Sequence, residues 1–65
     1  MAGSYTPDVK RVLAEHGCRF HRQGKGDHSI WYSPISKRYF TVDAKILSRH
    51  TANAIMKQAG INHKF

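Results

Sequence analysis

Hydrophobic positions recur along the chain with two different periods, and the switch between them outlines the fold. Val9, Val12, Leu13 and His16 fall at i, i+3, i+4 and i+7, one face of a helix, with Lys10, Arg11 and Glu15 off the stripe. Thr6 offers a side-chain oxygen as N-cap, and Pro7 at the first helical position has no N–H to strand. Asp8 adds negative charge at the positive end of the helix dipole. Gly17 supplies a left-handed C-terminal residue, so the spacing predicts a helix from Pro7 to His16.

The period then drops to two. Cys18 and Phe20 alternate with Arg19 and His21 in a first strand, and Gln23-Gly24-Lys25-Gly26-Asp27 reads as a loop. His28 to Tyr32 and Arg38 to Val42, rich in aromatic and β-branched residues, predict two further strands. Ser33-Pro34-Ile35-Ser36 between them fits a β-turn with Pro at its second position. The helical period returns with Ala52, Ile55, Met56 and Ala59, predicting a helix from Arg49 or His50 to Ala59 with Ser48 as cap. Gly60 then turns left-handed, Ile61 can touch Met56 as in a Schellman motif, and Asn62 to Phe65 form a tail. The order α-β-β-β-α makes an α+β domain: a three-stranded antiparallel meander with both helices on one face.

Alternation assigns Cys18, Phe20, Ile30, Tyr32, Phe40 and Val42 to the face under the helices. Arg19, His21, Ser29, Trp31, Tyr39 and Thr41 go to the open face, where cations and large aromatics suit RNA contact or a protein interface.

Composition narrows the partner. The chain has 65 residues, with eleven Lys plus Arg against four Asp plus Glu, a formal net charge of +7. A single domain over residues 1–65 is expected, with 1–5 and 62–65 as flexible ends. At about 60 residues only ~60% of the unfolded surface is buried, too little for a deep cofactor cleft. One cysteine, Cys18, excludes an internal disulfide framework and a Cys-rich zinc ribbon. No apolar run reaches the ~18 residues of a membrane span, and Met1 to Thr6 lack the regions of a signal peptide. A cytoplasmic protein that meets a polyanion or an acidic protein is expected.

The five histidines, His16, His21, His28, His50 and His63, have no metal-ligand spacing. His28 stands apart because it follows a Gly-Lys-Gly-Asp loop, whose backbone amides can approach a phosphate beside the Lys25 cation. That setting suits RNA cleavage by attack of the RNA's own 2′-OH. Such a reaction needs a base titrating near neutrality, as imidazole does at about 6.5. It also needs cations where negative charge develops, for which Arg22 and Lys25 are candidates. A strand-edge histidine touching a loop carbonyl fits the same residues.

Gly17, Arg22-Gln23-Gly24-Lys25-Gly26-Asp27-His28, Ile30-Trp31-Tyr32 and Lys57-Gln58-Ala59-Gly60-Ile61 stand in the order and spacing of one known family. Over residues 7 to 61 the chain resembles HicA, the small toxin of HicA–HicB toxin–antitoxin systems. The resemblance implies a double-stranded-RNA-binding-domain-like fold and an mRNA interferase that needs neither metal nor cofactor. It puts the catalytic role on His28 and implies a HicB-type antitoxin covering the active site. A monomer when free and a hetero-oligomer with antitoxin follow from it. The sequence departs from the family at Asp27, where many members carry Ser, at Cys18 in place of a bulky aromatic, and at Lys37 in a turn position often held by Gly or Asn. Single-stranded RNA, mRNA included, is then the expected ligand, held by Arg19, Arg22, Lys25, Gly26, Lys37, Arg38 and Arg49. The N-terminus of the second helix is a further phosphate site. A non-catalytic RNA-binding module of the same fold is the alternative, and a pure protein-interaction domain a third reading. Alternation groups His28 with the core-side Ile30 and Tyr32, although a base must reach RNA. Either a first strand position beyond the helices or a bulge would expose it.

Overall fold

The computed structural model describes residues 4–65, so the expectation for residues 1–3 lies outside the described residues. The order is α1 (Thr6–Glu15), β1 (Arg19–Gln23), β2 (Ser29–Ser33), β3 (Arg38–Val42) and α2 (Arg49–Ala59). The strands form one antiparallel sheet in the order β1-β2-β3. The α+β meander with its two helices is therefore as the sequence predicts.

Both helices end as their glycines require. Gly17 and Gly60 sit at φ of +85° and +76°. The amides of Cys18 and Ile61 return to the carbonyls of Leu13 and Met56, each at 2.9 Å, the long hydrogen bond of a Schellman motif. Ser48 caps α2 by accepting from the Thr51 amide at 3.0 Å. Thr6 does not cap α1. It is the first helical residue, and its buried hydroxyl instead donates to the Ala44 carbonyl at 3.2 Å and accepts from the Ile46 amide at 2.9 Å. This clamp fixes the chain leaving β3 against the start of α1 and seats Ile46 wholly inside the core. His16 leaves the expected apolar stripe: it is exposed, with Nδ1 2.9 Å from the Val12 carbonyl.

The core gathers Val9, Val12 and Leu13 of α1, Ala52, Ile55, Met56 and Ala59 of α2, and Trp31, Phe40 and Val42 of the sheet. Here the face assignment needs correction. Ser33 pairs with Arg38, so Trp31 stands opposite Phe40, and Ser29 opposite Val42. Trp31, not Ile30 or Tyr32, thus shares the helix-covered face with Phe40 and Val42 and is only 9% exposed. Three apolar residues in a row make β2 ambiguous by alternation, and pairing with β3 decides it.

Small polar residues fill the remaining inward positions because each finds a partner. Ser29 Oγ donates to the Val42 carbonyl at 3.3 Å and accepts from the Trp31 indole N–H at 3.1 Å. Ser33, fully buried, donates to the Ala59 carbonyl at 2.6 Å and accepts from the amides of Ile35 and Ser36. Ser33 therefore ties the β2–β3 turn to the last turn of α2. The turn comprises residues 34–37 and ends on Lys37 at φ +57°, the left-handed conformation its place in the turn demands.

Candidate active site

Strand β1 is the exposed edge of the sheet, and a bulge at His21 interrupts its pairing between Phe20 and Arg22. Phe20 stands opposite Trp31 on the helix side, its ring meeting the indole edge-on at 6.4 Å, but on this edge strand it is 55% exposed and does not join the core as expected. Arg19, paired with Tyr32, and Arg22, paired with Ile30, lie on the open face. The bulge turns His21 to that same face, where its ring lies 4.9 Å from Tyr39. Tyr39 lies 4.9 Å from Tyr32 in turn.

Gln23 organises the loop between β1 and β2. Its side-chain amide donates to the carbonyls of Gly26 at 3.1 Å and His28 at 2.9 Å. The Gly24 amide also donates to the His28 carbonyl, at 2.8 Å, and the His28 amide donates to the Lys25 carbonyl at 3.1 Å. Gly24 is packed tightly: a Cβ there would lie 3.2 Å from both the His28 carbonyl oxygen and Ile30 Cδ1. Gly26 takes φ +60° at the open tip, beside exposed Lys25. A closed hairpin loop thus delivers His28 at a fixed point just before β2.

Because β2 faces the opposite way from the expectation, His28 shares the open face with Ile30 and Tyr32. Neither an exceptional first position nor a bulge in β2 is required to bring it to solvent. Its Nε2 lies 3.1 Å from Asp43 Oδ1, with both side chains about half exposed (51% and 43%). Continuing the β2–β3 pairing one step past Ser29 and Val42 sets these two residues opposite each other. Asp27 plays no part in that contact. It lines a hollow on the helix side with Lys10, Phe20, Gln23 and Trp31.

The remaining cations fall into separate groups. Arg22 lies near the end of β1 opposite Ile30, Lys25 lies within the loop that leads to His28, and Arg19 stands opposite Tyr32 on the open face. Lys37 and Arg38 sit at the far turn, about 17 Å along the strand from His28. Arg49 opens α2. Sequence reasoning missed Asp43, which follows β3 without a motif of its own. Counting outward from the four-residue turn 34–37 would have set it opposite His28.

A carboxylate on one imidazole nitrogen fixes the tautomer and leaves the other as proton acceptor. The Asp43 carboxylate oxygen 3.1 Å from Nε2 favours a proton on that nitrogen, which would leave Nδ1 of His28 as the acceptor. No curated protein and no solved structure matches the chain at a significant level. A family model described as the HicA toxin of bacterial toxin–antitoxin matches residues 6–61. That span holds both helices, all three strands, the His28 loop and Asp43, so the chain belongs to the HicA family of bacterial toxin–antitoxin toxins.

Proposed function

We propose that this toxin is an endoribonuclease, an mRNA interferase that needs no metal, with His28 as its general base. The observation that carries the reading is the exposed imidazole of His28, 3.1 Å from the Asp43 carboxylate, at the end of a loop whose chain also carries Arg22 and Lys25. Nδ1 takes the proton of a 2′-OH, and the 2′ oxygen attacks the adjacent phosphorus. The bond from phosphorus to the 5′ oxygen breaks, the leaving oxygen takes up a proton, and a 2′,3′-cyclic phosphate remains. Arg22 and Lys25 oppose the negative charge that grows on the phosphoryl oxygens. The substrate provides its own nucleophile, so an open surface suffices.

Arg19, Lys37, Arg38 and Arg49 would hold the backbone on either side, and Gly26 would let it approach the loop closely. Phosphate contacts of this kind make binding fall steeply with salt. The antitoxin partner, taken as HicB-type, would neutralise the same charge. No helix among the described residues is long and apolar enough to cross a membrane, and mRNA as substrate implies a cytoplasmic site of action.

Purified protein is incubated with a long mRNA in EDTA, in parallel with His28→Ala. Cleavage by the parent and a loss of roughly 10²–10⁴-fold in the variant are expected, with RNA binding retained. In cells the variant should no longer arrest growth. Intact RNA despite tight binding by folded parent protein would instead identify a non-catalytic RNA-binding module.

A further inference from the structure

The open face holds a second feature that proton transfer at His28 does not use. His21, Arg22, Ile30 and Tyr39 line a shallow hollow of about 330 Å³, and Tyr32 backs the Tyr39 ring at 4.9 Å. Tyr39, on β3, is 60% exposed despite its ring contacts with His21 and Tyr32, so much of this aromatic surface meets solvent. The hollow exists because the His21 bulge swings an extra ring over β2 toward Tyr39.

We propose that this hollow is a base-binding subsite, in which an unpaired RNA base stacks against Tyr39 and His21 beside the phosphate presented to His28. Three observations select this occupant. The rings offer stacking surfaces, and base–aromatic stacking is the general device by which a protein holds single strands. Charge on this face also complements a polyanion. Of the four acidic residues, Asp8 and Glu15 pair with Arg11 on α1, Asp27 lies on the helix side, and Asp43 is engaged by His28. Arg19 and Arg22 therefore stand on the open face with no carboxylate against them among the described residues. The spacing is right as well: Ile30 at the floor of the hollow lies two residues from His28 on the same face, about 7 Å along the strand. One ribose can bridge that interval between a bound base and its phosphate.

A base held inside a duplex presents no free face to the rings, so the subsite discriminates for unpaired RNA and couples recognition to the cleavage position. The inference rests on the ribonuclease reading for its purpose but is tested by binding alone. In the full-length His28→Ala protein, affinity is measured for a short unpaired RNA bearing a fluorescent purine, over a range of salt, and for the same sequence as a duplex. Tyr39→Ala should weaken unpaired RNA roughly 5- to 150-fold with the salt slope unchanged, since stacking releases no counterions. Tyr39→Phe should restore affinity, His21→Ala should weaken it in the same sense, and duplex affinity should not respond. Arg22→Ala should instead flatten the salt slope by about one. Unchanged single-strand affinity in Tyr39→Ala and His21→Ala, with the fold intact by circular dichroism, would overturn the subsite. So would loss of antitoxin binding in those variants without loss of RNA affinity, which would make the face a protein interface. Failure of His28→Ala to stop cleavage would sink the assignment of the base and leave this binding result standing.

Discussion

Replacing Asp43 by Asn separates the catalytic use of the His28–Asp43 contact from any structural one. The two side chains meet at 3.1 Å and are about half exposed, so their attraction contributes little to the fold. Exposed ion pairs contribute ~0.2–1 kcal/mol, and Asn keeps the shape. The proposed catalysis would depend on something else, the strengthening of the contact into a charge-assisted hydrogen bond as His28 becomes an imidazolium. A neutral hydrogen bond contributes about 1 kcal/mol and one to a charged group about 1.5–3 kcal/mol. The differential available to the transition state is then roughly 0.5–2 kcal/mol, or about 2- to 30-fold in rate. If this surface holds phosphates as proposed, removing a carboxylate from it should at the same time tighten RNA binding. Single-turnover cleavage of a defined RNA, with binding measured separately, should thus show a lower rate constant and an equal or lower Kd. Thermal unfolding should move by no more than a few degrees. The Asn change placed on His28→Ala should cost nothing further, because the two residues act as one unit. A variant that cleaves at the parental rate, or one that loses activity only through weaker binding, would refute the orienting role.

Two other changes test the frame that carries the site. Ser33→Ala removes a buried hydroxyl that satisfies Ala59, Ile35 and Ser36, at a cost of about 1–3 kcal/mol. The melting temperature should fall by roughly 5–20 °C while cleavage at low temperature survives, and an unshifted melt would contradict the tie between turn and helix. Lys37→Gly relieves a side chain from a left-handed backbone, where L-residues are disfavoured by about 1–2 kcal/mol. Its melting temperature should rise, and the salt slope of RNA binding should flatten by about one if Lys37 also touches a phosphate. A lower melting temperature would mean that the turn does not need that conformation.

Much of this architecture is legible in the sequence where one local rule governs. Gly17 and Gly60 end both helices because a left-handed residue is needed there, and Ser48 caps α2 because both partners of its hydroxyl, the amide and hydroxyl of Thr51, lie in the first turn of that helix. Thr6 is misread because its hydroxyl has two options. The bridge to Ala44 and Ile46, forty residues away in sequence, satisfies a donor and an acceptor that a local cap would leave buried and unpaired. His28 can be singled out from its loop, whereas Asp43 cannot, since its importance comes from cross-strand pairing and from no motif. The hollow is partly visible: His21 and Tyr39 fall on the open face by alternation, but the bulge that brings them together is a tertiary event.

The inversion of β2 shows how closely stability and chemistry are joined in so small a domain. A slip of one residue would carry Ile30 and Tyr32 under the helices, expose Trp31 and bury His28. Apolar burial alone discriminates weakly between these arrangements, since each side chain contributes ~1.5–3 kcal/mol when buried and apolar residues occupy both faces of β2. The hydroxyls discriminate more strongly. In the observed register Ser33 reaches Ala59, and Ser29 serves both Trp31 and Val42. In the slipped one both serines would face solvent, and the helix end at Ala59 would lose its partner. The turn acts in the same direction, because four residues between Ser33 and Arg38 set Trp31 opposite Phe40. These contacts all lie on the helix side, yet they determine what the other side presents. They set His28 opposite Asp43, leave Tyr32 to back Tyr39, and keep the cationic face open. Selection for a stable β2–β3 hairpin is therefore selection for the proposed site as well.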